Sequence, residues 1–217
     1  MGLVYQKQVD DSTTFALWKI EETAEELYGQ LQLKTHEKDY LETLNNGKRN
    51  LHWLGTRVLL RKMLNTDSYI DVDTDEHGKP FLKNFPQHIS LSHSFDYAAV
   101  MISEDREVGI DIELVKRKIE RVALKFMSPE EMAFIEEANR VEHLYICWCA
   151  KEAVYKLHGK KNVSFLQHIR LEPFVCCSSG VFRASLETPE LSKTFRVGYE
   201  KYGNYMLGYA SEGTGDE

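Results

Sequence analysis

Apolar and polar positions change period several times along this chain, and the changes mark its elements. Residues 13–20 (TTFALWKI) are rich in β-branched and aromatic side chains and predict a strand. From Glu21 to Leu33 the pattern turns helical, with acidic residues in the first turn, where they meet the positive end of the helix dipole. Lys34 to Asn46 is polar and predicts a short helix plus a loop. Arg49–Leu64 is a clear helix, because Leu51, Leu54, Val58 and Leu59 fall on one face. Tyr69–Val72 is a candidate strand, and DEHGKP over Asp75–Pro80 is turn chemistry. The stretch ISLSHSFDYAAVMIS, 89–103, predicts two strands joined at Ser94–Asp96, and Val108–Leu114 predicts another. Helices are expected over Ile119–Met127, Pro129–Ala138 and Val141–His158. Ser128 with Glu131 three residues on forms a capping box, with Pro129 at the first helical position. Residues 163–210 alternate apolar and polar, predicting an antiparallel sheet with turns at Ser178–Gly180 and Tyr202–Asn204.

A short internal similarity organises these elements. Trp53, Arg57 and Arg61 can be laid over Trp148, Glu152 and Lys156, each set in a helix beside β structure. The expected fold class is α+β: two similar halves related by a pseudo-twofold, each an antiparallel sheet packed on a long helix. The expected halves are 1–104 and 105–210, meeting near Ser103–Glu107, with 211–217 as a polar, disordered tail.

Composition narrows the class of protein. At 217 residues, with 42% hydrophobic and 28% charged residues, the chain can bury a core without disulfides or metals. Its net charge of −7 argues against a general nucleic-acid binder, though not against a local basic patch. No run approaches the ~18 apolar residues a membrane span needs, and the first residues lack the apolar stretch of a secretory signal. The cysteines fall in two close pairs, Cys147/Cys149 and Cys176/Cys177, with neither a CxxC nor a zinc-ligand spacing. The expectation is a cytoplasmic protein whose reduced thiols pack as small hydrophobes.

Several residues could carry chemistry. Asp111 and Glu113 sit two apart in a strand, so both carboxylates face one side while Ile110 and Ile112 face the other. Two carboxylates that close repel each other unless a cation lies between them, and hard oxygen ligands suit Mg²⁺. The alternative is an ordinary half-exposed strand. Glu152 and Lys156 are four apart on one helical face, either as a surface ion pair or as a third carboxylate with a lysine for a phosphate oxygen. His93, between Ser92 and Ser94, is either a satisfied strand histidine or a donor aimed at a phosphate. Lys79 in Gly78-Lys79-Pro80 is either a solvated turn lysine or an anion ligand.

In this order, Gly78-Lys79-Pro80, Leu91-Ser92-His93-Ser94, Gly109-Ile110-Asp111-Ile112-Glu113 and Trp148…Lys151-Glu152-Ala153…Lys156 resemble the 4′-phosphopantetheinyl transferases. The Asp-Ile-Glu form and the length resemble the longer, surfactin-synthetase-activating class rather than the short, trimeric class. The resemblance covers about residues 15–160. It implies transfer of the phosphopantetheine arm of coenzyme A to a serine of an acyl or peptidyl carrier protein (a holo-carrier synthase), with release of adenosine 3′,5′-bisphosphate. It also implies two α+β halves in one monomer.

The resemblance implies roles residue by residue. Asp111, Glu113 and Glu152 would hold Mg²⁺ on the pyrophosphate, and Lys156 would contact the phosphates. Ser92 and His93 would bind the 3′-phosphate side, and Lys79 the nucleotide. Glu131 would deprotonate the carrier serine, with the capping box as its competing role. Lys38, Lys48 and Arg49 are the candidates for further contacts to the 3′-phosphate. Two other readings stay open: a Mg²⁺-dependent nucleotide pyrophosphohydrolase, and a non-catalytic coenzyme A-binding protein. Carrier proteins present an acidic helix, so an enzyme at −7 needs a local basic surface. Arg117, Lys118, Arg121 and Lys125, on the helix expected from Ile119, would supply it.

Overall fold

The computed structural model describes residues 2–44 and 47–212. The chain divides into two compact units, Met1–Asp75 with Pro80–Asp105, and Glu76–Lys79 with Arg106–Glu217. Each unit is a mixed α+β assembly built on an antiparallel sheet and one long helix.

The first unit contains strands β1 (Leu3–Gln8) and β2 (Thr13–Lys19), helices α1 (Ala24–Tyr28), α2 (Thr35–Thr43) and α3 (Lys48–Met63), strands β3 (Val72–Thr74) and β4 (Pro80–Leu82), and strands β5 (His88–Ser94) and β6 (Tyr97–Ser103). Its main sheet runs β1-β2-β6-β5, and β3 and β4 form a separate ribbon. The register of β2 on β6 brings Thr13 opposite Ser103, whose hydroxyls share a buried hydrogen bond of 3.0 Å. The apolar stripe of α3 behaves as its spacing predicts: Leu54, Val58 and Leu59 are buried against Ala16, Trp18, Ile89, Ala98 and Val100. Leu51 is half-buried beside them.

The second unit opens with β7 (Val108–Leu114) and two 3₁₀ turns, Arg117–Arg121 and Ala123–Lys125. Helix α4 (Pro129–Met132), the long α5 (Arg140–His158) and the short α6 (Phe165–His168) follow, then β8 (Ile169–Leu171), β9 (Ser179–Thr188), β10 (Leu191–Tyr202) and β11 (Tyr205–Ser211). The sheet order is β7-β11-β10-β9-β8. Helix α5 is the core: Leu144, Ile146, Cys147, Cys149, Ala150, Ala153 and Val154 are all 0% exposed. It ends where Gly159 adopts φ 75°, a left-handed cap that side-chain-bearing residues rarely accept. It lies so close to β7 that only glycine fits at position 109: a Cβ there would stand 1.9 Å from the Ala153 carbonyl oxygen.

Six local expectations change, among them the strand expected over Tyr69–Val72, which forms over Val72–Thr74 as one side of a ribbon with β4. The helix expected over Glu21–Leu33 shrinks to α1, opened by the Thr23–Glu26 capping box and closed at Gly29, a residue that weakens a continuing helix. The helix expected over Ile119–Met127 is instead two 3₁₀ turns broken at Val122, where φ is −115°. That break lets Ile119, Ala123, Phe126 and Met127 all reach the core. The helix expected to Ala138 stops at Met132. Ser178–Gly180 is not a turn between strands, because β9 already starts at Ser179, and the hairpin reverses at Pro189–Glu190. Ser211 and Glu212 are not tail: Ser211 pairs with Val108, and the Glu212 carboxylate accepts from Lys193 at 2.6 Å. Residues 213–217 lie outside the described residues. Strand β1 is an added element. It is an edge strand with little buried surface, so its hydrophobic signal is weak. Among the described residues, no helix is long and apolar enough to cross a membrane.

Candidate active site

In the second unit, β7 presents Gly109, Asp111 and Glu113 toward α5, while Ile110 and Ile112 are buried on the opposite face. Asp111 is itself buried, 5% exposed. The Lys156 ammonium donates to Asp111 Oδ1 at 2.8 Å and to the Ile110 carbonyl oxygen at 2.9 Å. Lys156 is therefore tied to the strand across from it, and not to Glu152 one helical turn back. The surface ion pair within α5 that the spacing allows does not form.

Glu152 is the electrostatic centre of this group. Burial first, and then the neighbouring Asp111 and Glu113 charges, push its carboxyl up to about 7 against the opposing pull of Lys156. Among the described residues it makes no hydrogen bond or ion pair. It also lines an open pocket of about 450 Å³ with Val122, Lys125, Phe126, Trp148 and Phe165. Two carboxylates facing a third whose proton affinity they raise, and which itself lacks a partner, are a donor set whose chemistry fits a hard divalent cation. Among the described residues, no group of three or more His, Cys, Asp or Glu side chains is drawn together as a metal-holding cluster. The positive charge on Asp111 is that of Lys156.

Glu131 and Lys79 depart from the roles expected of them. Glu131 is 4% exposed, and both its oxygens are engaged. Oε2 accepts from the Ser128 backbone and from Lys151 Nζ, both at 2.8 Å, and Oε1 accepts from the Leu171 backbone at 2.9 Å. The capping box forms, and both carboxylate oxygens are committed to it, to Lys151 and to the Leu171 backbone. Its partner Lys151, 0% exposed, also donates to the carbonyls of Phe126, Phe165 and Ile169. That role was legible: on the helical wheel Lys151 lies between Cys147 and Leu144, inside the apolar stripe. Lys79 is not a solvated turn lysine. Its ammonium pairs with Glu107 and donates to the Leu157 carbonyl at 2.6 Å.

The other expected ligands lie in the first unit. Ser92 is buried on β5, and His93 points outward from the same strand. The His93 ring stacks on that of His52 from α3, centroids 4.3 Å apart at 17°. His52 was not anticipated, because a histidine within a regular helical pattern carries no signal of its cross-element partner. Lys48 is exposed, 3.7 Å from Asp96 and 5.1 Å from the Phe95 ring centroid. Arg49 is exposed on the first turn of α3, and Lys38 on α2 borders a groove with Asn50 and Leu54. The repeated tryptophans occupy comparable places, Trp53 within α3 and Trp148 within α5.

Arg117, Lys118, Arg121 and Lys125 are all exposed, as is Leu124 at 73%. They sit on two 3₁₀ turns, so the single α-helical face expected for Lys118, Arg121 and Lys125 does not exist. Lys118 and Arg121 still align, because residues three apart eclipse in a 3₁₀ turn. The cysteines are free thiols: Cys147 and Cys149 are buried as expected, whereas Cys177 is exposed.

The chain is similar to known proteins, and the family match falls within the second unit. The family described as the 4′-phosphopantetheinyl transferase superfamily matches residues 107–210. The 4′-phosphopantetheinyl transferase AcpT of Escherichia coli (strain K12) is 31% identical over 124 residues, 54% of this chain and 63% of that protein. The 4′-phosphopantetheinyl transferase psf-1 of Bacillus pumilus is 37% identical over 92 residues, covering 41% and 39%. The 4′-phosphopantetheinyl transferase Sfp of Bacillus subtilis (strain 168) is 28% identical over 112 residues, covering 48% and 50%. The match thus spans less than two thirds of the length of each of these relatives.

Proposed function

We propose that this chain is a 4′-phosphopantetheinyl transferase of the longer, two-unit kind. It would move the phosphopantetheine arm of coenzyme A to a serine of an acyl or peptidyl carrier protein. One observation carries the proposal: the stretch similar to the transferase superfamily is the stretch in which β7 and α5 bring Asp111, Glu113, Glu152 and Lys156 to bear on one another.

In that reaction the serine oxygen bonds to the phosphorus bearing the pantetheine arm, and the bond from that phosphorus to the bridging oxygen breaks. Adenosine 3′,5′-bisphosphate leaves, and the serine loses its proton. Catalysis of such a step rests on positioning and on positive charge where negative charge collects. Asp111, Glu113 and Glu152 would hold Mg²⁺, which when bound supplies compact positive charge beside the pyrophosphate. Lys156, anchored by Asp111, adds a fixed ammonium. Trp148, Phe126 and Phe165 line the pocket beside Glu152. Glu131 keeps its place in the fold and takes no part in proton transfer. Ser92 and His93, with Lys48 and Arg49 nearby in sequence or space, supply the donors for the nucleotide's 3′-phosphate. Lys79, held by Glu107 and α5, fixes the segment that carries it. The exposed run from Arg117 to Lys125 is the surface on which an acidic carrier helix docks. We take the protein to act as a cytoplasmic monomer.

The test is to incubate the protein with coenzyme A, Mg²⁺ and an apo carrier protein and to weigh the carrier by mass spectrometry. A phosphopantetheine adduct is expected, and it is expected to vanish with a chelator. Asp111→Asn, which keeps the shape of a buried side chain, should cut the rate on the order of 10²-fold or more. Bisphosphate released without a carrier would make this a pyrophosphohydrolase, and no product at all would make it a binding protein.

A further inference from the structure

His93 is exposed on a strand, and an exposed side chain ordinarily samples several rotamers. Here its ring lies face to face with the His52 ring from α3. His52 is 9% exposed and is itself fixed, because its Nε2 lies 2.7 Å from the Phe95 carbonyl oxygen. A carbonyl only accepts, so Nε2 carries the proton and donates it. Phe95 is the turn residue between β5 and β6 and has φ 52°, a left-handed conformation that costs energy for an aromatic residue. One buried imidazole thus holds two things: the plane of the His93 ring and a strained backbone turn two residues further along.

We propose that His52 is a positioning residue for nucleotide binding, which pre-orients the exposed His93 imidazole toward a phosphate by stacking on it and by clamping the Phe95 turn. The proposal rests on the reading of Ser92 and His93 as 3′-phosphate ligands. It goes beyond that reading by naming the residue that makes His93 ready before the ligand arrives. Without the stack one restraint on that ring is lost and binding has to supply it, a cost that translates to roughly 3–10-fold in affinity.

The experiment compares adenosine 3′,5′-bisphosphate with adenosine 5′-monophosphate by calorimetry on the full chain. The wild type should bind the bisphosphate more tightly. If it does not, the 3′-phosphate reading itself fails, whatever His52 does. His52→Gln keeps a donor for the Phe95 carbonyl and removes the ring, and His52→Phe keeps the ring and removes the donor. His52→Gln is expected to weaken the bisphosphate roughly 3–10-fold while leaving the monophosphate unchanged, and to shift the His93 ring proton resonances as the ring current disappears. His52→Phe is expected to retain more of the bisphosphate affinity than His52→Gln. Equal bisphosphate affinity in wild type and both variants, or an equal loss for both nucleotides, would overturn the role assigned to His52. If His52→Gln fails to fold, His52→Leu, which also removes the ring, takes its place: a loss confined to the bisphosphate supports the role, and wild-type affinity for the bisphosphate overturns it.

Discussion

Lys151 places an ammonium where no water reaches, and that position governs what its neighbours can do. A buried ion pair gains little over apolar packing, but removing one partner strands the other charge. Glu131→Ala should therefore lower stability by about 3–5 kcal/mol, read from urea unfolding. Glu131→Leu combined with Lys151→Met should regain much of that loss. The double variant should turn over at a rate near wild type; a stable double variant slowed 100-fold would return Glu131 to the reacting serine. His143 gives a second test at this scale. Burial pulls its pKa below 6.5, against the opposing pull of Glu136. Its Nδ1 accepts from the Glu136 backbone at 3.2 Å, so the proton sits on Nε2, which has no partner among the described residues. The unfolded chain binds a proton at about 6.5 and the folded chain only at lower pH, so this contribution is fully present above 6.5 and is lost as pH falls through it. Unfolding midpoints at pH 7.5 and 5.5 should differ less in His143→Asn than in the wild type.

At the scale of elements, the proposed site of the second unit rests on the contact of α5 with β7. Gly109 sets its closeness, since the atoms a Cβ would strike are the backbone of Ala153 and Leu157, which cannot rotate away. Gly109→Ala should cost about 1–3 kcal/mol, as overpacking does. It should also lower kcat per folded molecule, because the Lys156–Asp111 ion pair spans the same contact. A loss of melting temperature with kcat unchanged would show that the spacing of strand and helix is not what the chemistry needs. The same contact decides which substitution of Asp111 is informative. Asp111 is buried against an ammonium rather than lying in open solvent, so alanine confounds folding with rate, and asparagine is the better substitution.

For the whole molecule the net charge of −7 is the relevant quantity, because the acidic carrier proposed as its partner would be repelled at long range. The exposed Arg117, Lys118, Arg121 and Lys125 would counter that locally if the carrier docks there. Reversing Arg117 and Arg121 to Glu should raise the carrier KM and leave the coenzyme A KM unchanged. The wild-type carrier KM should climb with salt, since charges separated by more than about 8–10 Å are screened at physiological ionic strength. A carrier KM indifferent to both changes would mean that this face only balances the acidic surface.

The periodicity of α3 and α5, the paired strands β5 and β6, and the alternation in β7 were all set by the sequence, because each is a local pattern satisfied by a single face. The carboxylates Asp111 and Glu113 were legible for the same reason: two residues apart in a strand means one side. What the sequence left open was the identity of partners. Spacing offered Glu152 to Lys156, and the fold gave Lys156 to Asp111 (45 residues away in sequence, across the strand–helix contact). Spacing offered Glu131 either a cap or a serine, and Lys151, arriving from α5, decided for the cap. The segment from Arg117 to Lys125 reads as a helix locally, yet it breaks at Val122 so that four apolar side chains can reach the core. His52 found His93 only through packing of α3 on the sheet. Local pattern fixes which face a residue occupies, whereas long-range packing and the cost of an unpaired buried charge fix which residue meets it there.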